Sequence, residues 1–336
     1  MTNPIAVYSG PVVLYWSAII ISVGLLAALF MSLSLQLANG GRLMSMLLFF
    51  PLAIVFSVPL CRALHWYCHA EQYGGFLSAV TDYSSGSYVL PAAIPGVWLA
   101  AWIAAKLDDG DTAKLLDAAA PGAALTVAFI RLSALFTSAC RSKIAVTTPI
   151  LQHLPLAAGI TNSAGVVEYR FATFFVEFLL LGVMFFLALR FFFKRRRKPM
   201  KAGQKRDGNT ALYAMLLVAA VEMILDSTRY DSSFFPFNGF ISVGQIGAAV
   251  CVLSALVTWS VRSVRANGRT AFHWAIWIGW FLALAVSGVS EYFVQRHGDW
   301  YLGCYTVMAV GCFFMAWLPV QMYKSICAKK KRRSEA

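Results

Sequence analysis

Apolar residues dominate this chain in long blocks, and short polar or charged stretches separate them. Nine blocks are long enough to cross a bilayer core, which needs about 20 predominantly apolar residues in a helix. The pattern predicts spans over 12–37, 43–64, 88–106, 114–139, 171–193, 210–228, 240–261, 271–293 and 300–322. One intervening stretch, "HWYCHAEQYGGFLSAVTDYSSGS" at 65–87, is too polar to cross and reads as a surface loop. The expected fold is therefore an all-α, polytopic membrane helix bundle.

Composition agrees with that reading. The 336 residues are 59% hydrophobic and 13% charged, and mean hydropathy is +0.67. Soluble domains carry a charged fraction of about 25%. The start "MTNPIAVYSG" has no basic segment ahead of its first apolar block, so that block is expected to stay as a span rather than be removed. The seven cysteines include no CxxC and no Cys/His group at metal-ligand spacing, so neither a metal nor another cofactor is expected.

Net charge is +13, and its distribution sets the expected orientation. With the N-terminus outside, the cytoplasmic side receives Arg42, Lys106, Lys114, the run "KRRRKPMKAGQKR", Arg262, Arg265, Arg269 and the "KKKRR" tail. The outer side receives only Arg62, Arg141, Lys143, Arg170, Arg229 and Arg296. The positive-inside rule favours this arrangement, with the C-terminus cytoplasmic. Topology thus accounts for the basic runs, and no nucleic-acid partner is needed.

Ionisable residues inside spans carry the functional information, because each costs about 2.5–3.5 kcal/mol at bilayer depth on insertion scales. Arg131 lies in span 4 and Glu177 in span 5, while Glu222, Asp226 and Arg229 share one face of span 6 through spacings of four and three. All belong to one layer near the outer end. Arg131 is the expected phosphate or carboxylate hook, since its planar fork matches such oxygens bidentately. Arg62, Arg141, Arg170 and Arg229 are expected at the mouth, drawing in an anionic head group. A structural reading stands beside this one: the same charges pair and lock the bundle.

Three collinear stretches then point to a family. "GPVVLYW" (10–16), "LLDAAAPGAALTVAFIRLSALF" (115–136) and "FISVGQIGA" (240–248) resemble, in order and spacing, segments of the bacterial phosphatidylglycerol–prolipoprotein diacylglyceryl transferases. The likeness covers roughly 8–262; the last two spans have no counterpart in the usual seven-span enzyme. The resemblance implies transfer of a diacylglyceryl group from phosphatidylglycerol to the lipobox cysteine of a prolipoprotein signal peptide, in the bacterial plasma membrane. Arg131 and Arg229 match phosphate-side arginines, Glu177 matches a retained acid, and Gln245 matches the Ile-Ser-x-Gly-Gln-Ile segment. Asp226 and Glu177 are the candidate bases.

The resemblance breaks at several positions. Ser133-Ala134 replaces Gly-Asn, Ala139 falls where an acid belongs, and Ser17 replaces a tyrosine. "YVLPAA" (88–93) lacks the family's histidine, and Glu222 stands where an arginine is expected. That charge reversal predicts a local pair with Arg131. His65 and His69, four apart near the end of span 2, are secondary candidates for a base. The organisation expected is a transferase-like core over 1–262, an added membrane hairpin over 263–323 and a basic tail over 324–336. Two alternatives remain: a non-catalytic phospholipid- or protein-binding protein of the same fold, and a small-solute carrier. No internal repeat of the carrier type is present.

Overall fold

The computed structural model describes residues 4–9, 12–81, 88–137, 139–161, 166–197, 200–201, 203–237, 239–298 and 300–327. The 328–336 part of the basic tail and the 82–87 part of the polar loop therefore lie outside the described residues. Among these residues nine helices are long and apolar enough to cross a membrane. They are α1 (Trp16–Ala38), α2 (Leu43–Cys68), α4 (Ala93–Leu107, with a preceding turn Leu90–Ala92), α5 (Thr112–Ser133), α7 (Thr173–Arg197), α8 (Asn209–Thr228), α9 (Val243–Asn267), α10 (Ala271–Arg296) and α11 (Tyr301–Ile326). Short helices α3 (Phe76–Thr81) and α6 (Pro149–Gln152) lie in the connections. Large side chains such as Phe30, Phe186, Leu282 and Phe313 point outward. A bundle whose solvent is hydrocarbon has no reason to bury them.

Two boundaries differ from expectation. Span 1 does not begin at Val12: Val12–Tyr15 is a strand, β2, paired antiparallel with β1 (Ile5–Ser9) in the register Tyr8↔Val13 and Val7↔Leu14. β-branched and aromatic residues on both segments favour that pleated pairing over a helical start. Span 2 runs past 64 to Cys68, which takes His65 into the helix. Beyond it, only the turn Ala70–Gln72 and α3 are regular in the 69–81 stretch.

Helices pack where small residues let backbones approach, as expected where lipid supplies no hydrophobic drive. α1 lies along α5, α2 along α4, and α10 along α11. Gly122 of α5 is one such point: a Cβ there would lie 2.9 Å from the Ala28 carbonyl oxygen of α1 and would also meet the Ser32 hydroxyl. Gly122→Ala is therefore expected to cost about 1–3 kcal/mol by overpacking. The unfolding midpoint in detergent checks this; an unchanged midpoint would mean that α1 yields freely.

α10 and α11 share one apolar core with α8 and α9, built around Trp259, Trp280, Met315, Met322 and Tyr323. Trp280 lies inside this core and is 1% exposed. Trp274 and Trp300 are exposed, and Trp277 donates to Ser260 Oγ at 3.0 Å. At the end of the bundle where α5 stops, a second hairpin, β3 (Ala157–Thr161) with β4 (Val167–Phe171), leads into α7.

Candidate active site

The membrane-depth charges converge. α5 ends at Ser133, so Arg131 sits in its last turn. Glu177 lies in the second turn of α7, and Glu222 and Asp226 in the last two turns of α8. Arg131 Nη2 donates to Glu222 Oε2, and Nε approaches Glu222 Oε1 at 3.3 Å and Glu177 Oε2 at 3.1 Å. Nη1 points at Cys140 Sγ, 3.3 Å away. The pair expected from the charge reversal at Glu222 is present, and all three guanidinium nitrogens are engaged. The side chain is only 8% exposed.

Arg229 follows α8 directly and turns back into the same cluster, where it had been expected at the mouth. Its Nη1 lies 3.3 Å from Asp226 Oδ1 and 3.9 Å from Glu177 Oε1. Its Nε and Nη2 reach Asp231 Oδ1 and Oδ2 at 3.1 and 3.4 Å. The cause is a strand-like seam: Ser142 bridges Arg229, Lys143 N–H donates to Thr228 O at 2.9 Å, and Tyr230 N–H donates to Arg141 O at 2.8 Å. The same 139–146 segment pairs on its other side with β4, through Ser142 N–H to Phe171 O at 3.2 Å and Val146 N–H to Tyr169 O at 2.8 Å. It thus lies over the charged layer.

Glu177 is placed unlike the other acids. It is fully buried between the two guanidinium groups, yet neither carboxylate oxygen has an aligned hydrogen-bond donor among the described residues. The short approach of Arg131 Nε is a charge contact whose N–H is aligned on Glu222 instead. Asp226, by contrast, accepts from the Ser242 hydroxyl at the start of α9. Gly244 makes room for it: a Cβ there would stand 2.6 Å from Asp226 Oδ2. Gln245 completes a capping box with Ser242, accepting from its backbone N–H at 2.9 Å, and so fixes the start of α9.

Cys140 is buried in the cluster in a left-handed conformation, φ +54°. Burial pushes its thiol up to about 11, although Arg229 and Arg131 pull the other way. Its N–H donates to Asp231 Oδ2 at 2.9 Å. Burial opposes the charge on Asp231, but Arg229 and that N–H hold its carboxyl below the usual range. The stability this group contributes is full above the ordinary aspartate value and is lost as pH falls through the depressed one. Sequence reading named neither Cys140 nor Asp231 as site residues. The aspartate two positions after Arg229 was the available signal for the second.

Other expected rim groups are loop clamps. Arg62 donates through Nε and Nη2 to Ala79 O, at 3.0 and 2.6 Å, and Arg141 donates to Gly159 O and Thr137 O. Both are buried, and only Arg170 remains at the rim, beside Glu168 at 3.2 Å. His65 and His69 stack on each other, ring centroids 4.4 Å apart, and His65 meets Tyr73 edge-on. Among the described residues neither hydrogen-bonds to the Arg131 cluster. Glu291 of α10 accepts from Ser227 Oγ at 2.5 Å and from Gln295 Nε2 at 2.8 Å.

These elements define a multi-pass membrane protein with a charged, self-paired cluster buried near one end of its bundle. Its family follows from comparison: the family model for prolipoprotein diacylglyceryl transferase matches residues 4–261, and the chain belongs to that family. No individual curated protein matches it. The membership carries a transferase-like function in lipoprotein biosynthesis, with phospholipid and prolipoprotein as the substrates of the family. α10 and α11 lie beyond the matched residues.

Proposed function

We propose that this chain transfers the diacylglyceryl group of phosphatidylglycerol, or a related anionic phospholipid, to the lipobox thiol of a prolipoprotein signal peptide. The carrying observation is the fully buried Glu177 carboxylate, flanked by Arg131 and Arg229 and without an aligned donor among the described residues. In the reaction the thiol sulfur attacks the glyceryl carbon that bears the phosphate. A C–S bond forms, the C–O bond to phosphate breaks, and the leaving group departs as glycerol phosphate. The two guanidinium groups hold the phosphate and stabilise its growing charge. Glu177 takes the thiol proton, since its lone pairs are not spent on hydrogen bonds. Asp226 keeps Arg229 in place, and Ser242 with Gln245 fixes Asp226. His65 and His69 take no part.

In this reading the Arg131 end faces the exterior of the bacterial plasma membrane, and the basic end faces the cytoplasm. Residues 1–262 form the transferase core, 263–323 the added hairpin and 324–336 the tail.

A second reading, a phospholipid- or protein-binding protein without catalysis, is favoured by one contact. Glu222 occupies the Arg131 fork that phosphate needs. The reconstituted protein, supplied with phosphatidylglycerol and a lipobox peptide, distinguishes the two. Thioether product read by mass spectrometry is expected from the natural chain. Glu222→Gln, which removes one competing charge, is expected to raise its yield about tenfold, the equivalent of 1.4 kcal/mol. Absence of product from both folded proteins, with phospholipid still bound, leaves the binding reading.

A further inference from the structure

The opposite end of the bundle carries a second feature that the transferase reading does not use. A cavity of about 640 Å³ opens there, lined by Asn39, Lys114, Phe193, Arg196, Arg197, Arg206 and Asp207. Its walls come from the end of α1, the start of α5, the end of α7 and the segment leading into α8. Lys114 and Arg131 are on the same helix, 17 residues apart in number, so at 1.5 Å per residue this cavity lies about 25 Å from the Arg131 cluster.

Its charge is unbalanced. Lys114, Arg196, Arg197 and Arg206 make no ion pair among the described residues, while Asp207 is already held 3.3 Å from the buried Arg195. Arg206 uses one nitrogen on the Arg196 backbone carbonyl at 3.4 Å, which holds its guanidinium against the end of α7. Asn39 adds a donor: its side-chain nitrogen is buried and meets no acceptor among the described residues. Four cations and an unspent amide N–H converge on one concave space that has a single carboxylate, Asp207, an arrangement that a bound anion stabilises. The positive-inside bias accounts for their side of the membrane but not for their convergence on a cavity. Phe193, exposed beside them, offers an apolar wall of the kind that an acyl chain covers. Basic pockets between spans on this side are a known mode of head-group binding.

We propose that this cavity is a phosphate-binding site, distinct from the Arg131 cluster, and that it holds a phospholipid head group or a free phosphate. Arg196 and Arg206 supply paired N–H donors, Lys114 a point charge and Asn39 a neutral donor.

Hydrogen–deuterium exchange of the full chain in nanodiscs tests the proposal locally. Peptides covering 108–116 and 203–210 are followed in three settings: phosphatidylcholine alone, phosphatidylcholine with phosphatidylglycerol, and phosphatidylcholine with inorganic phosphate in the buffer. Binding is expected to slow exchange in these peptides about threefold or more. Slowing by phosphatidylglycerol alone assigns a lipid head group, slowing by phosphate alone assigns a soluble ligand, and slowing by both supports the shared chemistry. The double variant Arg196→Gln/Arg206→Gln is expected to abolish the effect while peptides around Arg131 exchange as before. Should that variant fail to elute as a folded species, Lys114→Gln is expected to weaken the effect. Equal exchange in all three settings, or slowing that survives the substitutions, overturns the proposal.

Discussion

Arg131→Ala is expected to destabilise the fold by about 3–5 kcal/mol, the range for removing one partner of a buried ion pair. The loss exceeds what one surface arginine contributes, because two acids depend on it. Glu177 is fully buried and Glu222 nearly so, and each would keep a charge with its main cation gone. Arg229 approaches Glu177 no closer than 3.9 Å and is already committed to Asp226 and Asp231. Adding Glu222→Gln to Arg131→Ala removes one of the stranded charges and should restore about 1–3 kcal/mol, the coupling expected of contacting residues. Thermal unfolding followed by size exclusion in detergent reads both. If Arg131→Ala unfolds like the natural chain, the cluster does not lock α5, α7 and α8, and the structural half of its role is lost.

Asp117→Ala should be as damaging, at the other end of the same helix. Asp117 is completely buried. One oxygen accepts from Arg195 Nη1 at 2.6 Å and from Gly208 N–H at 2.7 Å; the other accepts from Thr210 and Ala211 N–H at 2.7 and 2.9 Å. It therefore caps α8 from a neighbouring helix, satisfying amides that have no acceptor within α8 itself. The substitution removes the nearest charge partner of the buried Arg195, leaving it Asp207 at 3.3 Å and the Arg206 carbonyl, and takes the acceptor from those N–H groups; about 3–5 kcal/mol is again expected. Asp117→Asn keeps an acceptor and should cost less. Faster amide exchange at 208–212 would mark the lost cap. Unaltered exchange in folded Asp117→Ala would show that water replaces the carboxylate.

The spans were legible because lipid imposes the most redundant code a sequence carries: long apolar runs with ionisable residues kept few. The convergence of Arg131, Glu177, Glu222 and Asp226 was legible for the same reason, since charges at one depth must find one another. What sequence concealed was the third partner of each charge. Arg195 reads as one more residue of a basic run, yet it is buried against Asp117, because the helical turn that takes its neighbours outward takes it inward. Cys140 is brought to Arg131 by a seam between distant segments, and no local pattern encodes that seam. The strand at Val12–Tyr15 was concealed by its own apolarity, which a short strand and a helix start share.

The wall that α10 sets against α8 bears on how the protein is made. Ser227, next to Asp226, donates to Glu291, and its carbonyl accepts from the Tyr305 hydroxyl at 3.4 Å. Both partners belong to α10 and α11, which follow α8 and α9 in the chain and so leave the ribosome after them. Every helix that contributes a charge to the Arg131 cluster has by then been synthesised, but α8 still lacks its outer support. During that interval the nascent chain presents Trp259 and its neighbours to translocon or lipid. Full support of the charged layer from α8 thus waits until α10 and α11 have been made.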